Sequence, residues 1–182
     1  MRYSDSTGCF YPDELHYTTL PDDLIKVDDD FARKAINRPA GATLQVVKGV
    51  LTIVLPTDDE VLEMARTQQA AVLRAACAQA ITAGFESSAL GQPHTYPGTL
   101  TDQSNMTAAA IVAGTSGSDW SASLWCADAD GTWKLVAHTA KQLTQVHADW
   151  HAALQSNQTR YAKLQAQLQA AQTPDDVAAV TW

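Results

Sequence analysis

Polar and apolar positions along this chain repeat in two periods, and each period predicts an element type. Residues Val61 to Ala80 are almost all strong helix formers. Thr57 and Glu60 stand before them with the spacing of a capping box, Asp58 and Asp59 suit the positive end of the helix dipole, and Gly84 supplies a stop after Ala83. A second helix starts with another box, Thr139 and Gln142. Along it Leu143, His147, Trp150, Leu154, Asn157, Tyr161, Leu164, Leu168 and Ala171 recur in 4-3 alternation, a heptad seam on a helix on the order of 45 Å long. Period two takes over between the helices. Trp120, Ala122, Leu124 and Cys126 alternate with Ser121, Ser123 and Trp125, which predicts a strand with one more apolar face. Its hairpin partner runs from Thr132 to His138, around Asp130-Gly131.

Shorter signals fill the remainder. Leu24 to Val27 is strand-like, and the acidic start at Asp29 predicts a helix to Ile36, stopped by Pro39-Ala40-Gly41. Thr43 to Val47 and Val50 to Leu55 flank Lys48-Gly49, a hairpin whose turn signal is weaker than Asn-Gly. Phe85 to Gly98 is too broken for a helix and predicts an irregular hairpin, after which Asp102 is expected to cap a helix from Gln103 to Ala113. Thr173-Pro174-Asp175-Asp176 opens a last short helix ending near Trp182. The break at Pro56-Thr57 divides the chain into a small β-rich module, residues 1–56, and a larger domain, residues 57–182, of two long helices packed with β-hairpins. The expected class is α+β. Because the first long helix is rich in alanine, the seam of the second is expected to pack against it within the chain, antiparallel; weak homodimerisation through the seam is the competing reading.

Composition narrows the function classes. The formal net charge of −8 over 182 residues supplies no footprint for nucleic acid or an anionic membrane surface. No apolar leader follows Met1-Arg2 and no run is long enough to span a bilayer, so synthesis in the cytosol is expected. Cys9, Cys77 and Cys126 are widely spaced, which suits reduced thiols better than a zinc site.

The residues that could carry chemistry read mainly as structural. His147 and His151 share a helix face, but Ala148 stands where a zinc protease has its glutamate, so packing is the expected role. Asp102, Gln103 and Asn105 form the densest polar cluster. Their residue types fit a helix start and the hairpin before it; the alternative is that they orient a carbohydrate or a partner backbone. Ser87, Ser88 and Ser116 lack a nucleophile-elbow context, and Asp22, Asp23, Asp28, Asp29 and Asp30 read as turn and cap residues. No catalytic residue, metal ligand or cofactor is expected. Tyr3, Phe10, Tyr11 and Tyr17 read equally as the core of the small module or as partly exposed, since so small a module cannot bury every aromatic; on the second reading they are the expected partner-binding residues.

Two stretches carry a family resemblance. Tyr3-Ser4-Asp5-Ser6-Thr7, Phe10-Tyr11-Pro12 and Leu20-Pro21-Asp22-Asp23-Leu24-Ile25 resemble the N-terminal region of the tail-fibre assembly proteins of tailed bacteriophages. Ala83-Gly84-Phe85, Ser88-Ala89-Leu90-Gly91, Tyr96, Asp102-Gln103-x-Asn105, Trp133 and the closing Ala179-Val180-Thr181-Trp182 are similar to a domain of unknown function found at the C-terminal end of phage tail-fibre assembly and tail proteins. The resemblance implies a chaperone that binds and shields the C-terminal tip of a tail fibre in the host cytoplasm and is then released or retained as a cap on the virion tail. The alternative it allows is a permanent structural component that contacts the host receptor.

Overall fold

A computed structural model describes residues 1–117 and 119–182, and its class is α+β. The chain divides into two units, Met1–Ala65 and Arg66–Trp182.

In the first unit three short strands, β1 (Arg2–Ser4), β2 (Cys9–Tyr11) and β3 (Leu24–Lys26), form an antiparallel sheet in the order β2-β1-β3. At three residues each, β1 and β2 are too short to show a period, and only the segment of β3 was legible as a strand. Asp23 ties the sheet together: its carboxylate accepts from the buried Ser4 hydroxyl and from the Ser6 N–H, each at 2.7 Å. Those two bonds to the ionised form hold its pKa down at about 2. Helix α1 (Asp29–Ile36) follows as predicted, capped by the Asp28 carboxylate on the N–H groups of Asp30 and Phe31. In the hairpin of β4 (Thr43–Val47) and β5 (Val50–Val54), Lys48 and Gly49 both take positive φ, 52° and 79°, as a type I′ turn requires. The core of this unit is Tyr3, Val27, Ala32 and Leu51, with Phe10, Ile25 and Phe31 packed on it.

The division between units falls inside helix α2 (Asp58–Thr82), nine residues beyond the break at Pro56-Thr57. Packing explains the offset. A Cβ placed on Gly41 would stand 2.7 Å from Met64 Sδ and 3.4 Å from Pro56, so the start of α2 lies against the first unit's own turn. The capping box that opens α2 is as predicted, with Thr57 N–H donating to Glu60 at 2.7 Å.

The second unit holds an antiparallel sheet in sequential order, β6 (Phe85–Ser87), β7 (His94–Tyr96), β8 (Ser121–Ala127) and β9 (Trp133–Thr139). Helix α3 (Leu100–Thr115) lies between β7 and β8 in sequence. Helices α4 (Ala140–Ala170) and α5 (Pro174–Ala179) close the chain. Alternation in β8 is as predicted: Ala122, Leu124 and Cys126 turn inward and Ser121, Ser123 and Trp125 outward. Phe85, Tyr96, Met106, Cys126 and Val146 form the core, joined by Leu124, Val136 and Trp150, so α3 and α4 cover one face of the sheet.

Every residue of the α4 seam is buried or half-buried, whereas His151 at its flank is exposed. The seam is taken up within the chain. Arg66 donates to the Ala171 carbonyl at 2.5 Å, and Cys77 Sγ lies 3.8 Å from that of Asn157, a pairing in which α2 rises as α4 falls. Between Asn157 and Ala171 the predicted antiparallel pairing with α2 is the observed one, while α3 is the helix packed most extensively against α4. The closing residues dock here too, through Gln69 on the Val180 carbonyl at 2.7 Å and Arg160 over the Trp182 ring at 4.6 Å. One cap differs from expectation. Helix α3 starts at Leu100, with Thr99 as N-cap and Asp102 as the third residue of its capping box. A threonine three residues ahead of an aspartate closes both halves of that box, which Asp102 as N-cap could not.

Candidate functional site

The alternation of β8 and β9 leaves one face of their hairpin without a covering layer. Trp125 and Leu135 are direct cross-strand partners on that face, and Trp133 stands two residues before Leu135. They are 55%, 56% and 48% exposed, a contiguous apolar row on a surface where such residues normally stand singly. Strand β9 is also the last of its sheet, so the row borders an unpaired edge. Its charged residue, Lys134, is held by Asp128 at 3.2 Å.

Beside the row, the sheet opens into a recess. Strand β7 ends at Tyr96 because Pro97 has no N–H to continue a ladder. The chain then turns at Gly98, where a Cβ would stand 2.7 Å from Gly84 N. Consequently β7 meets β8 in register only at Thr95 and Ala127. Asp128 N–H donates to the Thr132 carbonyl at 3.3 Å, which sets the ladder's phase. Even-numbered residues of β8 spend their backbone groups on β9, and Ser123 and Trp125 turn theirs toward the side β7 has vacated. A recess of about 100 Å³ results, lined by Tyr96, Pro97, Asp102, Asn105, Met106, Ser123, Leu124 and Trp125.

The polar cluster of the sequence reading divides at this recess. Asp102 serves the capping box, and Gln103 donates to the Gly98 carbonyl at 2.8 Å. Asn105 is exposed and its carboxamide has no partner among the described residues. Behind the recess the Tyr96 hydroxyl meets His138 Nε2 at 2.8 Å, while His138 Nδ1 meets the Val136 carbonyl at 2.8 Å. Since a carbonyl only accepts, Nδ1 carries the proton and Nε2 accepts from the tyrosine. Burial pushes the His138 pKa below its usual value and the Tyr96 hydroxyl well above its own.

A wider groove of about 840 Å³ lies between the β6–β7 turn and the start of α4, floored by Ser87 and Asp149. Ser87 donates to Asp149 at 2.5 Å, and Gln145 donates to the other carboxylate oxygen at 2.7 Å. No histidine bonds to that serine, so the pair latches β6 to α4 rather than activating a nucleophile.

Of the aromatics expected to bind a partner, Tyr3 is only 3% exposed and belongs to the core. It pairs across the sheet with Phe10, ring centroids 5.0 Å apart, and Phe10 is half-buried on the same core. Three strands and a helix suffice to enclose Tyr3, which corrects its assignment to the surface. Tyr11 and Tyr17 remain half-buried as an edge-to-face pair at 5.2 Å. His147 packs on Trp150 at 5.4 Å, and among the described residues no cluster of His, Cys, Asp or Glu could hold a metal ion. No helix among them is long and apolar enough to cross a membrane. The row of Trp125, Trp133 and Leu135 was missed as a site, although the sequence carried a signal: an aromatic on the polar phase of an alternating strand.

No curated protein and no solved structure matches the chain. Residues 64–181 match a family described as a domain of unknown function, DUF4376, over a span that takes in most of α2 and the whole sheet. With well over half of its length within that match, the chain belongs to the DUF4376 family.

Proposed function

We propose that this protein is a non-catalytic chaperone of phage tail-fibre assembly, which binds the C-terminal tip of the fibre and shields it until its chains trimerise. The phage setting rests on the sequence resemblance. The binding role rests on the apolar row of Trp125, Leu135 and Trp133 beside the open edge of β9. An unassembled fibre tip presents unpaired strand edges and apolar side chains, and such a hairpin offers both complements in one place. Acting in the host cytoplasm, the protein leaves the finished fibre or stays on it as a cap.

Co-expression with the fibre protein tests the reading. The wild type is expected to raise the yield of soluble trimeric fibre, and the double substitution Trp133→Ser with Leu135→Ser to abolish that gain while leaving the protein's own thermal melt unchanged. A folded double variant as effective as wild type would sink the proposal. Mass spectrometry of purified particles separates a released chaperone from a retained cap.

A further inference from the structure

From the recess between β8 and α3 we infer a second binding site, for a neutral sugar bearing an N-acetyl group, which shares Trp125 with the apolar row but does not rest on the fibre-binding role. The inference begins with the backbone. The ladder's phase turns the N–H and C=O groups of Ser123 and Trp125 toward a space where no strand continues. A group that satisfies a strand edge must itself donate and accept in one plane, as a peptide unit does. The recess holds about 100 Å³. The first turns of α3 with Asp102, Asn105 and Met106 stand over it, so the opening suits a small group rather than an added strand. A single acetamido group fits both limits. Its N–H and C=O pair with the strand edge, and its methyl meets the apolar floor of Met106, Leu124 and Pro97.

The rim supplies what the rest of a pyranose needs. Trp125 is 55% exposed and offers an indole against which the apolar face of a sugar ring can lie. The partnerless Asn105 carboxamide donates and accepts, matching ring hydroxyls that do both. Asp102 is the formal charge of the lining and no cation accompanies it, so acidic sugars are repelled.

The test is a titration of the full-length protein with the methyl glycosides of N-acetylglucosamine and N-acetylgalactosamine, read by amide and indole NMR shifts. Methyl glucoside, methyl galactoside, N-acetylneuraminic acid and a blocked Thr-Val-Thr-Val peptide serve as comparison probes. At least one acetamido glycoside is expected to shift the Ser123 and Trp125 amides and the Trp125 indole, with its parent sugar about tenfold weaker for loss of the acetamido bonds. Asn105→Ala, on an exposed position, should weaken binding by a similar factor, and Trp125→Ala should do so if it melts like wild type. No shift with either acetamido sugar, equal binding of the parent sugars, preference for the acidic sugar or the peptide, or full binding by Asn105→Ala would each overturn the inference. None of these outcomes depends on fibre solubility, the readout of the proposed chaperone role.

Discussion

His138 is fully buried, and both of its ring nitrogens are bonded, one as donor to Val136 and one as acceptor from Tyr96. The neutral ring satisfies both bonds, and burial disfavours the charged one. Burial therefore depresses its pKa from 6.5, and the neighbouring His94 adds a smaller push in the same direction. Below pH 6.5 the unfolded chain takes up a proton that the folded chain still refuses, so stability rises with pH across that window. It is fully present above 6.5 and is lost as pH falls toward the folded pKa. Urea titrations at a series of pH values should show this slope, and His138→Gln should flatten it. An unchanged slope in the variant would assign the acid sensitivity elsewhere. Nothing in the sequence marked His138, since a histidine in a strand gives no sign of what stands opposite its ring.

Among the elements, the turn that joins α2 to β6 depends on a single residue. Gly84 has φ +105°, and a Cβ there would collide with the Tyr96 carbonyl. The turn that ends α2 and the point where β7 stops are thereby the same piece of packing, with Gly98 as its other half. Gly84→Ala is expected to cost about 1–3 kcal/mol, the usual range for a residue forced into a sparsely populated backbone region, measurable by thermal or urea unfolding. A variant as stable as wild type would mean that the strand end can shift to make room. The stop at Gly84 was legible because helix termination is local. The collision with Tyr96 was not, because it involves a residue twelve positions away. Gly131 shows the contrast: Asp130-Gly131 announced the β8–β9 turn, but the loop takes three residues, 129–131, and each strand lies one residue further along than the sequence suggested.

At the scale of the whole molecule, the DUF4376 match and the second unit begin two residues apart along α2, and the expected larger domain begins nine residues before that unit. The Thr57–Glu60 capping box lies ahead of all but the last, and its bonds are local to the helix. A fragment of residues 57–182 keeps that box, and it is expected to melt cooperatively with the helical circular dichroism of its share of the chain. A fragment without a cooperative transition would show that the second unit folds only with the first. By itself the sequence determined the two long helices, their caps, the alternation of β8 and the glycine turns, because each is decided by residues within a few positions. It also placed the α4 seam, since a 4-3 repeat defines a face whatever covers it. Only the tertiary structure decided that Tyr3 is core, that the start of α2 packs with the first unit, and that Pro97 opens a recess beside β8. It alone decided that no layer lies over Trp125, Leu135 and Trp133. Burial is settled by what arrives from distant parts of the chain, and no local pattern of polar and apolar positions records its arrival.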